Sequence, residues 1–89
     1  MPTYAVDFLP SADKALQRLP IAMQRRIVAA VEALADDPRP AGAVKLAGEE
    51  NAWRIRVGNY RILYEIHDKR LVVLVVRIGH RKDVYRKGR

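Results

Sequence analysis

The sequence predicts an α+β domain: one N-terminal strand, two helices packed on one face of a mostly antiparallel sheet, then a C-terminal three-strand meander. Three observations predict it. Apolar residues alternate at period two near the N-terminus and again from Trp53 to Ile66, and they recur at helical spacing between Ala12 and Leu34. The three runs after Asn51 are joined by connections so short that consecutive strands must be antiparallel neighbours.

In order, Tyr4, Val6 and Phe8 alternate with Ala5 and Asp7 as a half-buried strand. Pro10 and Ser11 punctuate, and Ser11 is the expected N-cap of a short helix carrying Ala12, Ala15, Leu16 and Leu19. Pro20 breaks that helix and opens the next, where Met23, Ile27, Ala30, Val31 and Leu34 form an apolar stripe. Asp36-Asp37-Pro38 ends it, and Val44 to Leu46 is too short to assign. Beyond the Gly48–Asn51 turn, Trp53, Ile55 and Val57 alternate with Arg54 and Arg56. Gly58-Asn59 is a tight turn. Tyr60, Ile62, Tyr64 and Ile66 then oppose Arg61, Leu63 and Glu65. A turn at 67–70 leads to an apolar strand, Leu71 to Ile78, interrupted only by Arg77.

The chain of 89 residues fits a single domain, 1–89, with 49% hydrophobic residues to build its core. With no cysteine there is no disulfide, thiolate metal site or cysteine nucleophile. The longest apolar run, Leu71 to Val76, is far below the roughly 20 residues that cross a bilayer. The N-terminus lacks a basic-then-apolar order, so the expected setting is the cytoplasm without membrane attachment.

Charge is more informative. Residues 1–52 hold 6 basic and 7 acidic side chains, net −1, whereas residues 53–89 hold 11 basic and 3 acidic, net +8. The cationic half, rich in arginine, suits phosphate, and RNA is the expected partner. On the first meander strand Arg54 and Arg56 leave the same face, since they are two apart. Taken alone, such a pair is more often a solvated face than a phosphate site. Arg61 lies just across the turn, and a one-residue slip in register would put it on the other side. After the last strand come His80, Arg81, Lys82, Tyr85 and Arg86. Lys82 and Arg86, with Lys87 and Arg89, read as a basic tail, the first two as RNA contacts.

Most enzyme classes are disfavoured. The five glycines are scattered and form no phosphate loop. His67 and His80 have no carboxylate set at ligand spacing, so neither a metal nor another cofactor is expected. No Ser-His-Asp set is suggested, and the basic half is poor in paired carboxylates.

The run Trp53-Arg54-Ile55-Arg56-Val57-Gly58-Asn59-Tyr60-Arg61-Ile62-Leu63-Tyr64 and the ending Ile78-Gly79-His80-Arg81-Lys82-Asp83-Val84-Tyr85 resemble the RelE family of type II toxin–antitoxin toxins. The resemblance runs from the first strand to Tyr85. It implies a RelE-like fold and a ribonuclease that cuts mRNA in the ribosomal A site by attack of the RNA's own 2′-hydroxyl, inhibiting translation. The family's functional positions fall on Arg54, Arg56, Arg61, Arg81 and Tyr85. The first three would clamp phosphoryl oxygens, Arg81 would support the leaving 5′-oxygen, and Tyr85 would orient or stack on the RNA. Family members often carry lysine where Arg54 and Arg56 stand, and arginine is never a base. His80, with an ordinary pKa near neutrality, is the candidate for part of that proton transfer, although an innocent turn histidine is the commoner case.

The resemblance also implies a cognate antitoxin, acidic and partly disordered, and a toxin–antitoxin hetero-oligomer that binds DNA through the antitoxin. Two other readings stand beside it. One is a ParE-like gyrase-binding toxin without nuclease activity. The other is a non-catalytic RNA- or ribosome-binding module.

Overall fold

The computed structural model describes residues 3–80. The elements are β1 (Ala5–Phe8), α1 (Pro10–Gln17), α2 (Ile21–Ala33), β2 (Val44–Lys45), β3 (Ala52–Val57), β4 (Tyr60–His67) and β5 (Val72–His80). They build the expected α+β architecture, with β2 as an additional two-residue edge. The sheet order is β1-β5-β4-β3-β2. Every pairing is antiparallel except β1 with β5, which is parallel because both helices intervene before the meander begins.

Both helices lie on one face of the sheet. Ala12 and Leu16 of α1, Ile27 and Val31 of α2, and Leu34 at its C-cap are buried against Ile55, Val57, Ile62, Tyr64, Ile66, Val73, Val75 and Ile78. Tyr4, Val6 and Phe8 pack at the margin of that core, as their alternation requires. Ser11 is not the cap of α1. Pro10 stands in its first turn and Leu9 is the N-cap, with no side-chain cap bond, because proline's fixed φ already suits the first helical position. Likewise Pro20 is the N-cap of α2.

The segment between α2 and β2 is fastened to the sheet by polar contacts. Tyr64 donates its hydroxyl to the Pro38 carbonyl at 2.7 Å. Arg39 donates to Asp68 at 2.8 Å, and the other Asp68 oxygen accepts the Tyr4 hydroxyl at 2.6 Å. The Arg39 guanidinium, then the Tyr4 hydroxyl, hold the Asp68 carboxyl below its usual range. Arg39 also lies 5.5 Å from the Trp53 ring centre, so this arginine is committed to the fold.

Two turns set the meander. Val57 pairs with Tyr60, so Gly58-Asn59 is a two-residue loop, and only Gly58 takes a positive φ, +58°. A Cβ there would stand 3.1 Å from Met23 Cε and 3.4 Å from Arg26 Nη1, so a side chain would also press on the flexible ends of these two α2 residues, while the positive φ is what favours glycine. At the far end Leu71 lies in the turn at φ +54° rather than opening β5, and His80 is the last residue of the strand rather than part of a turn.

Gly58→Ala should cost about 1–2 kcal/mol, read from denaturant midpoints, since it combines a left-handed backbone with a tight contact. Burial pushes the Tyr64 phenol up from 10.0 to about 12. The unfolded phenol therefore ionises first, and its contribution, complete below pH 10, is lost as pH rises toward 12. Comparing wild type with Tyr64→Phe over that window should show the smaller alkaline loss in the variant, which should also be less stable at pH 7 by about 1 kcal/mol for the lost hydrogen bond.

Candidate functional site

The sheet face turned away from α1 and α2 gathers the arginines. In the β3–β4 hairpin Arg56 stands directly opposite Arg61, and Arg54 opposite Leu63. Directly opposed residues have their Cβ atoms about 4.5–5.5 Å apart, so Arg54, Arg56 and Arg61 form one cluster. The hairpin settles the register that was open in the sequence. Exposure falls inward across the cluster: Arg56 is exposed, Arg54 half-buried, and Arg61, on the central strand, only 8% exposed. A buried guanidinium acts through a lower dielectric than one in water, so an anion set against the cluster would feel Arg61 through the least screening.

On the other side of β4, Gly79 of β5 stands opposite Arg61, and Arg77 opposite Leu63. This placement depends on an irregularity. Leu63 pairs with Arg77 but Tyr64 with Val75, so Val76 is an extra residue in β5. Before it, Val73 and Val75 face the helices; after it, Ile78 does. Strict alternation from Val73 would have driven Arg77 into the core. The bulge inverts the phase and turns Arg77 onto the arginine face. Its Nε is buried and has no hydrogen-bond partner among the described residues.

The same inversion moves His80 away. It pairs with Tyr60, on the helix side, and their rings meet edge to face with centroids 5.7 Å apart. His80 therefore does not join the arginine cluster, contrary to its expected place there. The other histidine, His67, is on the cluster's face and bonds Glu65 at 2.9 Å. It lies six residues along β4 from Arg61, about 20 Å at strand rise. Neither histidine reaches the centre of the cluster. The remaining expected residues, Arg81, Lys82, Tyr85 and Arg86, lie outside the described residues.

Arg54, Arg56 and Arg77 make no salt bridge among the described residues, whose ion pairs are Arg39–Asp68 and His67–Glu65. Like charges placed directly opposite on paired strands destabilise a sheet. A chain that opposes Arg56 to Arg61 therefore has a face that an anion would relieve. Chemically, such an arrangement can bind a phosphodiester and stabilise charge that develops on its oxygens. Of the arginines on this face, Arg77 was not singled out from sequence, where it appeared only as an interruption of an apolar strand.

The family described as "ParE toxin of type II toxin-antitoxin system, parDE" matches residues 6–85. The chain belongs to the RelE/ParE superfamily of type II toxin–antitoxin toxins. It is 37% identical over 92 residues to Toxin RelG of Mycobacterium tuberculosis, covering 94% of this chain and 98% of that protein. A putative RelE-like toxin protein of Escherichia coli is 33% identical over 86 residues, covering 92% and 90%. Among solved structures, the archaeal RelE–RelB complex from Pyrococcus horikoshii OT3 superposes with a TM-score of 0.80 at 32% identity, covering 89% of this chain and 96% of that one.

Replacing Arg56 by Gln removes the like charge opposite Arg61. In low salt the variant should be more stable than wild type by about 0.2–1 kcal/mol, measured by thermal melting, and the difference should shrink as salt is added.

Proposed function

We propose that this toxin is a ribosome-dependent endoribonuclease that cleaves mRNA in the A site, without metal or cofactor, and so inhibits translation in the cytoplasm. The observation that carries this reading is the convergence of Arg54, Arg56 and Arg61 on the sheet face away from the helices. In the reaction the 2′-oxygen of one nucleotide attacks its own 3′-phosphorus and loses its proton. The bond to the next nucleotide's 5′-oxygen breaks, and that oxygen takes up a proton. The products are a 2′,3′-cyclic phosphate and a 5′-hydroxyl. Charge gathers on the phosphoryl oxygens in the transition state, and arginines held in place beforehand stabilise it there. Arg61, most buried and flanked by β3 and β5, is assigned the central contact; Arg54 and Arg56 close the clamp. Arg81 is assigned to the leaving oxygen and Tyr85 to the RNA, with Lys82 and Arg86 as further contacts. With His80 on the helix side, electrostatic stabilisation supplies more of the rate than histidine proton transfer does.

The partner is a cognate antitoxin, acidic and partly disordered, that binds DNA on behalf of the hetero-oligomer. Two features support it. The Pyrococcus relative forms a complex with RelB. This chain also has an open, mainly apolar groove of about 700 Å³ between α2 and the β2–β3 edge, floored by Ala30, Ala33, Leu34 and Ile55 and bordered by two cations, Arg54 and Arg56, against one carboxylate, Asp37. An amphipathic acidic segment fits both its floor and its rim.

The family description favours a second reading, a ParE-like toxin that binds gyrase without cutting RNA. Primer extension on a translated message separates the two: codon-phased cuts indicate the ribonuclease, and gyrase-linked DNA breaks without them indicate the alternative. For the ribonuclease, Arg61→Ala should lower the single-turnover cleavage rate about 10²–10³-fold. Arg81→Ala should abolish the cuts while ribosome binding persists; loss of both together would favour a pure binding module.

A further inference from the structure

We propose that Arg77 forms a second phosphate site beside the cleavage centre, holding the nucleotide next to the one that reacts. The inference rests on the ribonuclease reading and adds a contact that the arginine cluster does not include.

Three observations carry it. First, Arg77 is brought to this face by a specific backbone device. Only the extra residue Val76 separates the phase of Val73 and Val75 from that of Arg77 and Gly79. Bulges interrupt the hydrogen-bond ladder and re-aim side chains, and they concentrate beside active sites. Second, its position suits the repeat of a nucleic-acid strand. Arg77 is opposite Leu63, one diagonal step from Arg61, which puts the two side chains' origins about 7–8 Å apart. That is the scale of one sugar–phosphate repeat, so one strand running along β4 meets Arg61 and Arg77 in succession. Third, the carboxylates that share this face, Asp7 and Glu65, are not paired with Arg77. Arg77 has no ion pair among the described residues, and its Nε is buried without a hydrogen-bond partner there. The enclosed Nε is out of a ligand's reach, so the outer Nη groups of the same guanidinium are the donors that would meet a phosphate oxygen. Half-buried Leu63 and Leu74 on the same face give an apolar floor on which a base can lie.

The fit is to a phosphodiester strand and not to a single small anion. Arg54, Arg56 and Arg61 already form one anion site, and Arg77 extends it along the strand direction. Two carboxylates share this face among the described residues: Glu65, hydrogen-bonded to His67, and Asp7 of β1, which stands beside Leu74.

The test uses the purified full chain and a fluorescent single-stranded 2′-O-methyl oligoribonucleotide, which binds but has no free 2′-hydroxyl to attack. Affinity is measured from 50 to 300 mM salt for wild type, Arg77→Ala, Arg77→Lys and Arg56→Ala, each confirmed folded by its melting curve. One phosphate contact to a single strand contributes about 0.7 to the slope of log affinity against log salt. Arg77→Ala should therefore flatten the slope by about 0.7 and weaken binding about fivefold near 0.1 M salt, whereas Arg77→Lys should keep the wild-type slope. A merely structural arginine would alter the melting midpoint without altering the slope. If Arg77→Ala keeps the wild-type slope while Arg56→Ala flattens it, the second site is wrong and the RNA-binding face stands. If neither variant changes the slope, the RNA reading of the face falls and this inference falls with it.

Discussion

The pairing of β4 with the strands on either side governs the rest of the molecule. β4 is the central strand, with β3 beyond one edge and β5 beyond the other. Its even-numbered residues from Tyr60 to Ile66 enter the core, and its odd-numbered residues from Arg61 to His67 line the opposite face. A shift of one residue on either side would exchange core and cation, burying arginines against α1 and α2. The register is therefore held at several points. The Gly58 corner, packed under Met23 and Arg26, fixes β3 against β4. The Arg39–Asp68–Tyr4 contacts fix the other end, where β4 turns into β5.

This arrangement divides labour between the two sides of one sheet. The helix side is an apolar core closed by Tyr64 and Leu34, and it supplies the stability. The other side carries side chains that repel one another, which the fold tolerates only because the first side is well packed. The arginines that pair within the fold are separated in the same way from those of the proposed RNA-binding face. Arg39 has a carboxylate and an aromatic face for company, while Arg54, Arg56 and Arg77 have no ion-pair partner among the described residues.

Much of this was legible in the sequence because period-two alternation encodes the face of each residue directly. Arg54 and Arg56 against Ile55 and Val57, and Arg61 against Ile62, are local patterns that tertiary contacts did not override. The helix stripe from Met23 to Leu34 was equally plain. What was not legible depended on backbone events that side-chain pattern does not record. In a run as apolar as Val72 to Val76, every residue fits either face, so nothing in it marks the bulge. The bulge nevertheless decided the placement of Arg77 and His80. It gained the first for the cationic face and moved the second to Tyr60. Leu71 at a left-handed φ and the two-residue β2 escaped for the same reason: their conformations are imposed by neighbours.

The parallel pairing of β1 with β5 gives the chain a particular order in time. Residues 5–8 find their partners at 72–75, so the sheet closes only when nearly the whole described chain is present. Contacts so distant in sequence form late, because the loop-closure entropy must be paid before they contribute. The β3–β4 hairpin can assemble locally, but Arg61 has only one neighbouring strand until β5 docks beside it. A partly synthesised chain thus carries arginines without the enclosed site. The cationic face is complete once the local β4–β5 hairpin forms, and the pairing of β1 with β5 closes the far edge of the sheet afterwards.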